Sequence, residues 1–452
     1  MQALLANLLI GMGGFHWITY VAERFGQVPF PLALIMLFAF SLVSVPQLYL
    51  FFTGVYYISP RLPQNIWLKV FFYAAFYASC EFIVLPVKLF PESLGNIFVH
   101  WPSLAQNAAW GGVSILTFLP CFLGAALYFF IPEKKPQIHA GKTVLAAVIL
   151  FLCAHVWGSW EMQQLKQLKG EKISISIVQA NIGDLEKLVS EAGSIEAIHQ
   201  VMRKYKGLSN SAPKSDLLLW PETAFPVAFP SKADTTATEI GIDEAGALKQ
   251  MAIQKNSSIL FGGYERIQNT DFNSALLVGS DGKFQDSYKK VILLAFGEYM
   301  PLGNFFPWLK TLNPQMGDFG RGPGAFPILW QDKDKQRKIG VSICYEAIRH
   351  SYMHDLKKNG ADFFVNLTND SWFGNTFEPW QHLELASIRS IENRTPMVRS
   401  TNTGISTFID IFGHIYSTGP LFESAVIHGD LEYFPKLESF YTRWGEVFAY
   451  AM

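Results

Sequence analysis

Charge is what this sequence has least of. Asp, Glu, Lys and Arg make up only 16% of it, against roughly a quarter in soluble proteins, and the shortfall lies before about residue 160. The 36 basic residues are matched by 37 acidic ones, for a net charge of −1. With no basic surplus to neutralise phosphates, nucleic acid is excluded as a partner. Cysteine is scarce as well. Of the four present, Cys80, Cys121 and Cys153 fall in apolar stretches and Cys344 stands alone in the more polar second half. A lone cysteine cannot staple its own domain, so an internal disulfide is excluded there. Neither a His/Cys cluster with metal-ligand spacing nor a Gly-rich phosphate loop occurs, so no metal and no other cofactor is expected.

What the chain does have is long apolar runs. Crossing the hydrocarbon takes about 20 residues, and five stretches qualify: 1–22, one within 25–60, 70–87, about 105–131, and 143–160. The first has no basic start and no small-residue cleavage site, which argues against a signal peptide. Backbone in lipid must bond to itself, so residues 1–162 are read as a transmembrane helical bundle of about five spans. Glu81, deep in the third run, is expected to bond to a neighbouring helix. Arg61 and Lys69 flank one short loop, and Lys134, Lys135 and Lys142 another; the remaining loops offer only Arg24 and Lys88. The positive-inside rule then puts the N-terminus inside and the second half outside, although Lys166, Lys169 and Lys172 run against it.

From Lys172 the pattern changes. Apolar or alternating runs at 173–178, 216–220, 258–262, 274–278, 338–343 and 361–367 read as strands, and 244–255 and 382–393 as helices. Strands alternating with helices imply a layered α/β domain over 170–440, followed by a tail at 441–452. Polar groups gather at the strand ends, where such sheets place their sites. Glu222 follows Trp220-Pro221, Cys344 follows the run ending at Ile343, and Asn366 to Gly374 follows Val365. Lys290 and Glu298 lie between. Glu, Lys and Cys in that order suggest an acyl-transferring thiol. A buried, inert cysteine is the commoner fate, but it leaves Tyr345-Glu346 beside the thiol unexplained.

Trp220-Pro221-Glu222, Tyr288-Lys289-Lys290, Phe296-Gly297-Glu298-Tyr299 and Cys344-Tyr345-Glu346 resemble the carbon–nitrogen hydrolase (nitrilase) superfamily. Its α-β-β-α sandwich carries a Glu, Lys and Cys set. Asn369-Asp370-Ser371-Trp372-Phe373-Gly374, Pro379-Trp380-Gln381-His382 and Arg399-Ser400-Thr401-Asn402-Thr403-Gly404-Ile405 narrow the resemblance to the apolipoprotein N-acyltransferase family. That family fuses such a domain to a transmembrane bundle and usually has more spans, including one after the enzyme domain. Leu188, Ala295 and Glu378 stand where it usually has Trp, Pro and Gly.

A thiol with a pKa near 8.5 needs a base beside it at neutral pH, and Glu222 is the candidate. Lys290, with a backbone N–H near Tyr345, is the candidate for stabilising the tetrahedral oxyanion. The resemblance gives Glu298 and Glu346 supporting roles, with an ordinary ion pair as the alternative; Asn273 and Tyr345 are further pocket candidates. It also implies the chemistry. A membrane phospholipid, phosphatidylethanolamine, acylates Cys344, and the amino group of a diacylated apolipoprotein then takes the chain. Aromatic loops at 304–309 and 316–319, with Trp308, Trp372, Phe373, Phe377 and Trp380, are candidates for a lid facing the bilayer; the alternative is that they belong to the core. Two other functions are compatible with parts of the pattern: a membrane-tethered amidase or nitrilase acting on a small amide, and a non-catalytic scaffold.

Overall fold

The computed structural model describes every residue except 87, 89, 132–137, 232–237, 296, 304 and 309–316. Two compact units emerge. One comprises Met1–Lys169, Thr376–Arg394 and Glu438–Met452; the other comprises Gly170–Asn375 and Thr395–Leu437. Residues 376–394 and 438–440, which the sequence pattern assigned to the α/β stretch, therefore cluster with the helical unit.

In the helical unit, Ile66–Val84, Ala108–Phe130 and Ala140–Leu165 are each long and apolar enough to cross a membrane. The first two apolar runs are not single rods. Gln2–Gly14 and Trp17–Arg24 meet at 60°, and Phe30–Ser41 and Pro46–Arg61 meet at 40°, so five spans result if each bent pair counts as one. The breaks have local causes. Gly13 and Gly14 weaken the first helix at its end, and Pro46, which lacks an N–H, starts a new helix in the second. Glu81 is buried and bonds across elements as expected: its carboxyl accepts from Thr117 Oγ1 at 2.5 Å and from Leu94 N at 2.9 Å.

A second buried carboxyl mends a broken helix. Within Ala108–Phe130, Gly111 and Gly112 leave helical geometry, Gly112 at φ +65°. The Val113 N–H beyond the break donates to Glu392 Oε1 at 3.0 Å. Glu392 Oε2 lies 3.1 Å from Arg389 Nη1, and Tyr441 donates to Glu446 at 2.7 Å. Burial pushes Glu392 up to about 8 and Glu446 up to about 7, so both hold protons in the fold that they would lose in an unfolded chain. Their stabilisation is complete below the ordinary carboxyl range and is lost as pH rises through 7 to 8. The apparent melting temperature of the detergent-solubilised protein should therefore fall between pH 6 and 9. Glu446→Gln should flatten that fall, and an equally steep fall in the variant would contradict it.

The α/β unit contains two six-stranded sheets. Its strands are β1 (Glu171–Gln179), β2 (Leu217–Ala228), β3 (Ser258–Ile267), β4 (Thr270–Val278), β5 (Phe284–Lys289), β6 (Ile328–Asp332), β7 (Lys335–Ile343), β8 (Phe363–Thr368), β9 (Met397–Thr401), β10 (Thr407–Ile409), β11 (Ile415–Tyr416) and β12 (Ala425–Tyr433). One sheet runs β12-β1-β2-β3-β4-β5 and the other β11-β10-β9-β8-β7-β6. The central pairs β1–β2, β2–β3, β7–β8 and β8–β9 are parallel. Parallel strands buried on both faces need continuous apolar sequence, and Leu217-Leu218-Leu219-Trp220 and Phe363-Phe364-Val365 supply it, all fully buried. The helix Ile195–Ser211 packs Ile198, Val201, Met202 and Tyr205 against Trp220 and Phe261, and Glu239–Lys255 adds Leu248 and Met251 to the same core. This is the nitrilase-like α/β architecture expected from the motifs.

Candidate active site

The site gathers where three strands stop pairing regularly. Pro221 lacks the N–H that a ladder requires. The β2–β3 register accordingly shifts between Trp220 and Phe225, and Thr223 adopts φ +49°. Glu222 therefore sits inside β2 at a bulge, not beyond its end, and the bulge turns its carboxylate out of the ladder. Gly262 on β3 lets this happen, because a Cβ there would lie 2.5 Å from Glu222 Cα. Lys290 follows β5 directly, and its backbone N–H donates to Asn273 O on β4 at 2.9 Å. Cys344 follows β7 and opens the turn Cys344–Ile348. It holds φ +54°, a left-handed conformation that costs a non-glycine residue about 1–3 kcal/mol and persists only where its surroundings enforce it.

These side chains converge. Lys290 Nζ lies 3.2 Å from Glu222 Oε1 and 2.9 Å from Glu298 Oε1. Asn273 Nδ2 donates to the same two oxygens, at 2.9 Å each. The second oxygens take backbone donors: Asn369 N to Glu222 Oε2 at 3.1 Å and Leu294 N to Glu298 Oε2 at 2.8 Å. Two carboxylates are thus held around one ammonium, with 2% of the lysine side chain exposed. Burial opposes that charge, but Glu222 and Glu298 outweigh it and raise the Lys290 pKa well above its ordinary value, so the group stays protonated. Cys344 goes the other way. Burial and then Glu222 push its thiol well up, Lys290 pulls it down, and Asp370 and Glu298 add to the rise. At rest the sulfur keeps its proton, within the electrostatic reach of Glu222.

Glu346 is placed differently from Glu298. Its carboxyl accepts from Val291 N at 2.7 Å, Ile292 N at 2.9 Å and Ile343 N at 2.8 Å, and from Tyr288 Oη at 2.8 Å. It ties the loop after Lys290 to the turn that carries Cys344. Burial raises it to about 7, with the backbone donors opposing that rise. Tyr352 Oη extends the chain, 2.6 Å from Tyr288 Oη and 2.8 Å from Val341 O. Tyr345 is 5% exposed, and the Arg349 guanidinium lies 4.4 Å from its ring centre.

Of the aromatic candidates, Trp308 is 61% exposed, beside exposed Phe305 and Phe306. Trp372 and Phe373 are half-buried in the short turn after β8. Trp380 and Phe377 are exposed and belong to the helical unit. Residues 304, 309 and 316 of the aromatic loops, and Phe296, lie outside the described residues. Sequence reasoning gave no role to the Asn369 backbone N–H or to Tyr352, and quoted Tyr288 only within the Tyr288-Lys289-Lys290 motif. Tyr288 carried a readable signal, a tyrosine two residues before Lys290 on a strand.

Comparison with known proteins concerns the chain as a whole. The family model of carbon-nitrogen hydrolases matches residues 174–433, and that of the apolipoprotein N-acyltransferase N-terminal domain matches residues 1–126. The chain is 34% identical to the apolipoprotein N-acyltransferase of Bdellovibrio bacteriovorus, over 97% of this chain and 81% of the relative. It is 30% identical to that of Geobacter metallireducens, over 97% and 82%, and 29% identical to that of Haemophilus ducreyi, over 95% and 82%. Among solved structures, an amidase from Nesterenkonia sp. AN1 aligns with a TM-score of 0.42 at 16% identity, covering 62% of this chain and all of the amidase. With both halves matched in order and relatives aligned along nearly the whole length, the chain belongs to the apolipoprotein N-acyltransferase family, a bacterial membrane branch of the carbon–nitrogen hydrolases.

Proposed function

We propose that this protein N-acylates lipoproteins, moving a fatty acyl chain from a phospholipid to the amino group of an N-terminal diacylglyceryl-cysteine by way of a thioester on Cys344. The observation that carries this reading is a lysine clamped between two carboxylates, with Cys344 held in a left-handed turn within their electrostatic reach. In the first half-reaction Glu222 takes the thiol proton as sulfur attacks the ester carbonyl, then returns it to the departing lysophospholipid oxygen. Lys290 and a backbone N–H near Tyr345 balance the oxyanion. Glu298 and Asn273 hold the lysine and the base in register, and Glu346 holds the loop to the nucleophile turn. In the second half-reaction the amine attacks the thioester, Glu222 accepts its proton, and the thiol is regenerated. Phosphatidylethanolamine is the proposed donor.

The proposed setting is the bacterial inner membrane, with residues 1–162 as the membrane-spanning bundle and the α/β domain (170–440) on the outer, periplasmic side. Trp308, Trp372, Phe373 and Trp380 are proposed to face lipid, which keeps water from the thioester. Burying a large side chain in an apolar medium is worth about 1.5–3 kcal/mol. Replacing Trp372 and Phe373 together by Ser should therefore lower activity on lipid vesicles by at least about tenfold while the protein stays folded. Unchanged activity in the folded variant would end the lid assignment.

The decisive test is mass spectrometry of the full-length protein incubated with phosphatidylethanolamine vesicles. A fatty-acyl adduct should map to the Cys344 peptide, be absent in Cys344→Ser, and discharge onto a synthetic diacylated lipopeptide. Discharge to water alone, with no amide product, would favour a hydrolase.

A further inference from the structure

Arg399 is fully buried, yet the mechanism gives it no task. It lies in the middle of β9, between β8 and β10, with Asp370 Oδ2 at 2.8 Å and Asn366 Oδ1 at 2.6 Å from its two terminal nitrogens. Neither Arg399 nor Asp370 has any side-chain exposure. Asp370 is held in turn by Thr368 Oγ1 at 3.1 Å, and Gly404 lets it close in, since a Cβ there would lie 2.3 Å from Asp370 Oδ2. An arginine on an interior strand needs such partners. What matters is where the second partner leads. With the guanidinium on its oxygen, the Asn366 amide can point only its nitrogen at β7. That nitrogen donates to Ser342 O at 3.1 Å and to Cys344 O at 3.2 Å.

We propose that Arg399 is a positioning residue for the nucleophile, fixing the Asn366 amide so that it pins the Cys344 carbonyl and holds the cysteine in its left-handed turn. The connection runs guanidinium to amide oxygen, amide nitrogen to Cys344 carbonyl, and so to the orientation of Sγ. A second consequence is electrostatic. Asp370 is one of the negative charges that the thiol feels, and Arg399 is the cation bonded to it. The proposal rests on Cys344 being the reactive thiol, but not on the acyl donor or acceptor named above.

The test compares wild type, Arg399→Lys and Asn366→Asp as full-length protein in detergent. Iodoacetamide labelling of the Cys344 peptide is followed by mass spectrometry and normalised to the label the same peptide takes up after denaturation. Asn366→Asp keeps an acceptor for Arg399 but removes the donor to Cys344 O, so it separates the relay from the arginine's own packing. Labelling of Cys344 should slow at least tenfold in both variants, measured per folded molecule. In the acyl-transfer assay kcat should fall by a similar factor with KM for the vesicles held. If Arg399→Lys merely melts earlier while Cys344 in the folded fraction labels at the wild-type rate, or if Asn366→Asp labels normally, the relay is wrong. Failure of wild type to form an acyl adduct would overturn the function above but leave the labelling comparison intact.

Discussion

Lys290→Met is expected to remove acyl transfer and destabilise the protein in the same step, because the ammonium serves both ends. Its Nζ lies 3.2 Å from Glu222 Oε1 and 2.9 Å from Glu298 Oε1, and Asn273 Nδ2 bonds to both oxygens. Without it two buried carboxylates face each other across one amide. Removing one partner of a buried ion pair costs about 3–5 kcal/mol, and losing an oxyanion donor costs roughly 100- to 1,000-fold in kcat. The two effects can be separated. Adding Glu298→Gln to Lys290→Met removes the repulsion and should recover most of the lost melting temperature, with activity still absent. If the single variant keeps activity within about tenfold of wild type, the role given to Lys290 is incorrect.

How much of this was readable beforehand depended on whether a signal was local. Trp220-Pro221-Glu222 announced a strand that must break at its proline, and the break is where the carboxylate leaves β2. The apolar run before Cys344 likewise announced a strand end, whereas β5 before Lys290, Phe284-Gln285-Asp286-Ser287-Tyr288-Lys289, is too polar to announce one. The C-terminal strand was not readable. β12 runs antiparallel along all of β1, pairing Gln179 with Ala425 and Glu171 with Tyr433, yet its residues mix Gly429 and Asp430 into a weak alternation, and its partner is some 250 residues away. The bends in the first two apolar runs were missed for another reason. Hydropathy sums over a window and is blind to order, whereas Pro46 and the Gly13-Gly14 pair act on single hydrogen bonds. Arg399 could have been flagged, since a guanidinium within Met397-Val398-Arg399-Ser400-Thr401 demands a buried counter-charge. Its partner Asp370 could not be chosen over the neighbouring acids without the sheet order.

Gly262→Ala is a single methyl group, and it should act on Glu222, the proposed base, more strongly than most changes to residues around it. The added Cβ would sit 2.5 Å from Glu222 Cα, 2.5 Å from Pro221 O and 2.6 Å from Thr223 N. All three are backbone atoms of the adjacent strand, so no side chain can swing aside. β2 must retreat by about an ångström to restore van der Waals contact, at an overpacking cost of about 1–3 kcal/mol. A displacement of that size at a reacting group costs on the order of 100-fold in rate. Because β2 is fixed on its other side by β1, the retreat falls on the irregular stretch between Trp220 and Phe225, which carries Glu222. Gly207→Ala is the control. Nothing lies within 4 Å of its Cβ in the helix Ile195–Ser211, so the same methyl should stabilise by about 0.5–1 kcal/mol and leave kcat alone. A folded Gly262→Ala enzyme with wild-type kcat would mean that the position of Glu222 along β2 does not set the rate, and the proton would then have to leave the thiol by another route.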